Sequence, residues 1–125
     1  MAILLPENSV SIFRGTSKTL KLTVKDGDGE LVNLTGSTIH FTVKKNEKCD
    51  EHALIQKSSA NVAQIEIPNP TDGTANIYLT PEDTYGLAVG KYKFDVWVIL
   101  PSTERYVAVP PSVFEVKAGV TFLNP

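Results

Sequence analysis

Asp26-Gly27-Asp28-Gly29-Glu30 places three carboxylates in one short stretch, and a hard cation such as calcium takes oxygen ligands of that kind. The stretch lacks the full acidic ladder and the distal Glu of a calcium-binding loop. Asp-Gly pairs are what a tight hairpin turn requires, so a plain turn is the better reading. Cys49-Asp50-Glu51-His52 offers three kinds of metal ligand in a row. Adjacent residues rarely converge on one ion, and no second Cys or His cluster completes a tetrahedral site. His40 sits between Ile39 and Phe41 and so reads as a solvent-facing side chain. Nucleophilic catalysis would need a base beside a Ser, Thr or Cys. Here there is no Gly-x-Ser-x-Gly elbow and no Gly-rich phosphate cradle, and the two His residues are isolated. Asn33-Leu34-Thr35 fits a glycosylation acceptor, which without a secretory signal reads as chance. These residues point to a non-enzymatic protein with no metal and no cofactor.

The elements that carry those residues are easier to read. Thr19-Leu20-Lys21-Leu22-Thr23-Val24 and Thr38-Ile39-His40-Phe41-Thr42-Val43 both alternate apolar and polar residues, as half-buried strands do. Further strands are expected at Ser9 to Arg14, Leu31 to Leu34, Ala53 to Ser58, Ala63 to Ile67 and Thr74 to Leu79. Lys91 to Leu100 reads as the longest strand, followed by Arg105 to Val109 and, after Pro110-Pro111, by Val113 to Lys117. Lys44 to Glu51 reads as the longest exposed loop, and Pro68 to Gly73 as irregular. Thr80-Pro81-Glu82-Asp83 is the one convincing helix start: a capping hydroxyl, a proline at the first helical position and two acids near the positive helix end. Gly86 and Gly90 then limit that helix to about one or two turns. Leu87-x-x-Gly90-x-Tyr92, where a late strand begins, has the form of a tyrosine corner, in which the phenol bonds upstream backbone.

Short strands, frequent turn signals and a single helical turn indicate an all-β sandwich. The expected core is Leu20, Leu22, Val24, Ile39, Phe41, Val43, Ile77, Leu79, Tyr92, Phe94, Val96, Val98, Phe114 and Val116. Burying each large apolar side chain contributes roughly 1.5–3 kcal/mol, enough for one cooperative domain. The length of 125 residues suits one domain over 1–125, with apolar arms at 1–8 and 118–125. The 42% apolar and 21% charged fractions are those of a globular protein. A net charge of −2 with scattered lysines argues against nucleic acid as partner. The lone Cys49 excludes an intrachain disulfide. Met1 to Pro6 is too short and uncharged for a signal peptide or a membrane span, so a product made in the cytoplasm and free of the membrane is expected.

Several stretches are similar to immunoglobulin-like domains of tailed-bacteriophage structural proteins, including the amino-terminal domain of baseplate upper proteins. They are Phe13 to Val24, Leu31 to Lys44, Ala53 to Ser58, Asp72-Gly73-Thr74 to Thr84, and Gly90-Lys91-Tyr92-Lys93-Phe94-Asp95-Val96. The resemblance runs from about Ile12 to Val116 and implies an immunoglobulin-like Greek-key β-sandwich. It also implies a virion structural component whose partners are other capsid or tail subunits and further copies of itself. Baseplate upper proteins continue into long receptor-side regions, and this chain stops at Pro125. A capsid decoration or cement protein, or a tail or head–tail accessory protein, is therefore expected.

Two surfaces stand out as partner contacts. By strand phase Tyr92, Phe94, Val96 and Val98 face the core, so Trp97 and Ile99 face out, as does Tyr78 on its own strand. A cluster of Trp, Ile and Tyr on one sheet face is typical of an interface core. Ile3, Leu4 and Leu5 before the first strand, and Phe122 and Leu123 after the last, suggest arms that dock on a neighbour. The alternative from another class is a carbohydrate- or host-surface-binding module, in which Tyr78, Trp97 and Tyr106 stack on sugar faces.

Overall fold

The computed structural model describes residues 9–25, 28–45 and 53–119, together with the backbone of Ala2–Ile3. In chain order the elements are β1 (Ala2–Ile3), β2 (Val10–Phe13), β3 (Lys18–Lys25), β4 (Thr38–Lys44), β5 (Ile55–Ser58) and β6 (Ile65–Glu66). A 3-10 turn at Pro70–Asp72 leads into β7 (Thr74–Leu79), the single helical turn α1 (Pro81–Tyr85), β8 (Gly90–Ile99) and β9 (Arg105–Lys117). A four-stranded sheet runs β1-β3-β7-β6 and a five-stranded sheet runs β2-β9-β8-β4-β5. The hairpins β4–β5, β6–β7 and β8–β9 stay within a sheet, while β3–β4, β5–β6 and β7–β8 cross between sheets. This is an immunoglobulin-like Greek-key sandwich. The opening of the chain is shared between the sheets: β1 pairs antiparallel with β3, and β2 pairs parallel with β9.

Alternation determines what is buried. Leu22 and Val24 of β3, Ile39, Phe41 and Val43 of β4, Ala75, Ile77 and Leu79 of β7, and Tyr92, Phe94, Val96 and Val98 of β8 all turn inward, into one core. Leu20, expected in that core, is only partly buried and packs against its rim. Antibody domains join their sheets by a disulfide against a tryptophan, with the corner tyrosine two residues before the second cysteine. Here Phe94 follows Tyr92 by two. It packs on Phe41 with ring centroids 5.6 Å apart, and Phe114 lies 6.3 Å from both. The three rings come from β4, β8 and β9 of one sheet, so here they fill the core beneath that sheet rather than bridge the two sheets. Each such pair adds about 0.5–1.5 kcal/mol beyond burial. The Tyr92 hydroxyl donates to the Ala88 carbonyl at 2.6 Å, closing the tyrosine corner.

The crossover before that corner is tied down by polar contacts. The Thr80 amide donates to the Asp83 carboxylate at 2.8 Å, one arm of a capping box. The same carboxylate oxygen meets the buried Lys57 ammonium at 2.8 Å, fastening edge strand β5 to α1. The fully buried Thr84 hydroxyl accepts the Gly15 amide at 2.9 Å and holds the β2–β3 turn.

Three expectations change. Leu31 to Leu34 is not a strand: only a bridge from Leu31 to Lys25 forms, and the Leu34 amide turns to the Pro70 carbonyl at 2.7 Å. The segment is crossing between sheets, and most of β3 is already paired by β7. The two expected strands at Arg105 to Val109 and Val113 to Lys117 are one strand of 13 residues, longer than β8 with its 10. Its pairing to β8 slips between Phe94 and Val96 and again between Val96 and Trp97. Both extra residues lie on β9, so Pro110 and Pro111 occupy a bulge where a missing amide costs little, and the strand continues. Finally, Ala2 and Ile3 pair with Lys25 and Val24, so part of the amino-terminal arm is a strand of its own domain. Most of the expected polar loop, residues 46–51, lies outside the described residues, as do all four of Cys49-Asp50-Glu51-His52.

Candidate interaction site

The outer face of the five-stranded sheet is built by the polar phase of three paired strands. Register sets His40 of β4 opposite Trp97 of β8, and Trp97 opposite Val107 of β9. One row away, Thr38, Ile99 and Arg105 align; at the other end Thr42 faces Asp95 and Lys44 faces Lys93. Because both bulges lie on β9, the alternation of β8 survives them, and Trp97 points outward at 39% exposure. Val107 beside it is 43% exposed. The Trp97 Nε1–H donates to Asp95 Oδ2 at 3.0 Å, which turns the indole along the strand and uses up its only donor. An open groove of about 440 Å³ runs over this face, lined among others by His40, Lys44, Gln56, Trp97, Ile99 and Arg105.

The structure places Trp97 and Ile99 together and separates them from Tyr78. Tyr78 lies on β7, in the other sheet, and points out from the opposite side of the sandwich. The expected Trp–Ile–Tyr cluster is therefore corrected: strand phase gives the direction of a side chain, but not which sheet its strand joins. Tyr78 is engaged locally, its hydroxyl donating to Glu66 Oε1 at 2.7 Å, and that bond raises the phenol pKa above its usual value. Tyr106 is likewise tied to Glu104. The Tyr106 bond first, and then one from Ser102, lower the Glu104 carboxyl below its ordinary value. Of the terminal residues expected to contact partners, Leu4, Leu5, Phe122 and Leu123 lie outside the described residues. Ile3 is described through its backbone pairing with Val24 alone.

His40, expected to face solvent, lies on this face, as does Lys93 of the same strand as Trp97; Val107, Lys44 and Arg105 join it without having been singled out. Residues from β4 and β9 are collected beside Trp97 only by the pairing of β4 with β8 and of β8 with β9. Among the described residues no three His, Cys, Asp or Glu side chains gather as a metal site would require.

No family model matches the chain, and no curated protein does. The solved structures it is similar to include a Bacteroides vulgatus protein described as a "putative glycoside hydrolase", with 9% identity and a TM-score of 0.48. The alignment covers 88% of this chain and 16% of that one, so the chain spans a small part of its length.

Proposed function

We propose that this chain is a non-enzymatic structural protein of a tailed-bacteriophage virion, a capsid decoration or cement protein or a tail or head–tail accessory protein. It assembles as several copies on the particle and acts through protein–protein contacts, without nucleic acid, membrane or cofactor. The observation that carries this reading is the outward Trp97, with Val107 and Ile99 beside it on one sheet face. Large apolar side chains grouped on a face are costly to leave wet and mark contact surfaces. Tryptophan is among the residue types most enriched where contacts matter energetically, and its truncation there often costs about 2 kcal/mol or more. The similarity to phage immunoglobulin-like domains supports the choice of partner class. Mass spectrometry of purified particles should find the chain, and Trp97→Ala should weaken its attachment while leaving it folded. A chain absent from particles sinks the reading.

A second reading is a host-surface or carbohydrate-binding module of the same particle. It is favoured by the groove itself, where an indole borders polar side chains such as His40 and Gln56. A glycan array probed with the purified chain tests it, and an empty array would dispose of it.

A further inference from the structure

We infer that Asp28 is a modification site: with Gly29 it converts spontaneously to isoaspartate in the native protein, while the fold withholds the same chemistry from the same dipeptide at Asp72-Gly73. The site is independent of the proposed virion role.

The reaction needs a carboxyl side chain and the amide of the next residue. The Gly29 nitrogen attacks Asp28 Cγ; the N–Cγ bond forms, a Cγ–O bond breaks, and the amide proton leaves with that oxygen as water. Water then adds to the cyclic imide. Opening at Cγ restores aspartate, and opening at the main-chain carbonyl carbon routes the backbone through the side chain, as isoaspartate. One water leaves and one returns, so water is the only co-reactant. A glycine in second place favours closure because no Cβ obstructs the approach. Both dipeptides have it, so their intrinsic chemistry is alike and any difference in the native protein comes from the fold.

Asp72 is exposed, but the backbone beside it is held. Its own amide donates to the Asn69 carbonyl at 3.0 Å, closing the 3-10 turn. The Gly73 amide, which would be the attacking group, donates to the Pro70 carbonyl at 3.4 Å, and the Gly73 carbonyl accepts the Val24 amide at 2.8 Å. Gly73 is buried, and the carbonyl oxygens of Val24 and Val32 lie 2.9 Å from where a Cβ would stand. A fused ring has no room there, so this pair reacts only when the turn opens.

Asp28-Gly29 differs at each point. Both residues are exposed and belong to no strand or helix. Among the described residues no atom comes within 4 Å of a Cβ placed on Gly29. The contacts of an exposed carboxylate compete with water and yield readily. Ring closure here needs no opening of the sandwich. Its product adds a methylene to the main chain between Lys25 and Leu31, whose bridge spans this turn.

The test is storage of the purified chain for weeks in buffered heavy-oxygen water, once folded and once in urea. Peptide mapping with electron-transfer fragmentation then separates residue 28 from residue 26 and residue 72. In the folded chain, isoaspartate and heavy oxygen should accumulate at residue 28 about tenfold or more faster than at residue 72. In urea the two should react within about threefold of each other. Asp28→Glu should remove the signal at residue 28 with unchanged circular dichroism, because the longer side chain must close a larger ring. Equal rates at the two sites in the folded chain, or no reaction at residue 28, overturn the inference. So does a gap that persists in urea, since the fold would then not be its cause.

Discussion

Breaking the Lys57–Asp83 pair from one side should cost more than removing its charge from the other. The Lys57 side chain is 8% exposed and Asp83 is 16% exposed, with 2.8 Å between ammonium and carboxylate. Lys57 points inward from β5, an edge strand of its sheet, so without Asp83 its charge is left where water is scarce. Stripping one partner from a buried pair costs about 3–5 kcal/mol. The Lys stem is long enough to carry its head toward the rim, which returns part of that cost. Asp83→Ala also removes the capping bond to the Thr80 amide, for about 0.5–2 kcal/mol. The net expectation is a loss of about 3 kcal/mol for Asp83→Ala, a large share of a typical domain's 5–15 kcal/mol. Lys57→Met keeps the volume and the apolar stem and leaves the more exposed Asp83 its Thr80 bond at the positive end of α1, so it should cost less, about 1–2 kcal/mol. In the Lys57→Met background, Asp83→Ala should then cost only the cap. Urea unfolding followed by circular dichroism measures all four corners of this cycle. Equal losses for the two single variants, or a coupling energy near zero, would refute the reasoning. A charge turned inward at an edge also discourages strand addition, so Lys57→Met should self-associate more readily in light scattering.

Gly73 has φ +68° and is buried, and a Cβ there would lie 2.9 Å from the carbonyl oxygens of Val24 and Val32. Gly73→Ala should therefore lower stability by about 2–4 kcal/mol in urea titration, and a loss under about 1 kcal/mol would show that the turn can shift. Tyr92→Phe removes the hydroxyl that bonds the Ala88 carbonyl and should cost about 0.5–1.5 kcal/mol with the fold retained; an unchanged thermal midpoint would deny the corner a role. The Tyr106 and Ser102 bonds lower the Glu104 pKa, so its contribution is present above the ordinary carboxylate pKa and is lost as pH falls through the lower folded value. A carboxyl titration by NMR should show this, with Tyr106→Phe moving Glu104 back toward its usual value; a Glu104 that titrates normally in the wild type would contradict the geometry.

The strands of this protein are legible because burial on one face forces a period of two. Ile39, Phe41 and Val43 announce β4, and Tyr92 to Val98 announce β8, before any partner is known. Local signals were equally plain at Thr80-Pro81-Glu82-Asp83 and at Tyr92, since a cap and a corner use groups within a few residues of each other. The outward direction of Trp97 follows from the same phase. Pairing is different in kind. That β9 runs through Pro110 and Pro111 depends on bulges that only its partner β8 reveals. That Leu31 to Leu34 is a crossing rather than a strand depends on β7 having taken most of the β3 ladder. Tyr78 left the Trp97 cluster because its strand joined the other sheet, and Lys44, Val107 and Arg105 entered it because theirs joined this one. A side chain's direction is decided by its own backbone; its neighbours are decided by hydrogen bonds between strands far apart in the chain, and these exist only in the folded sheet.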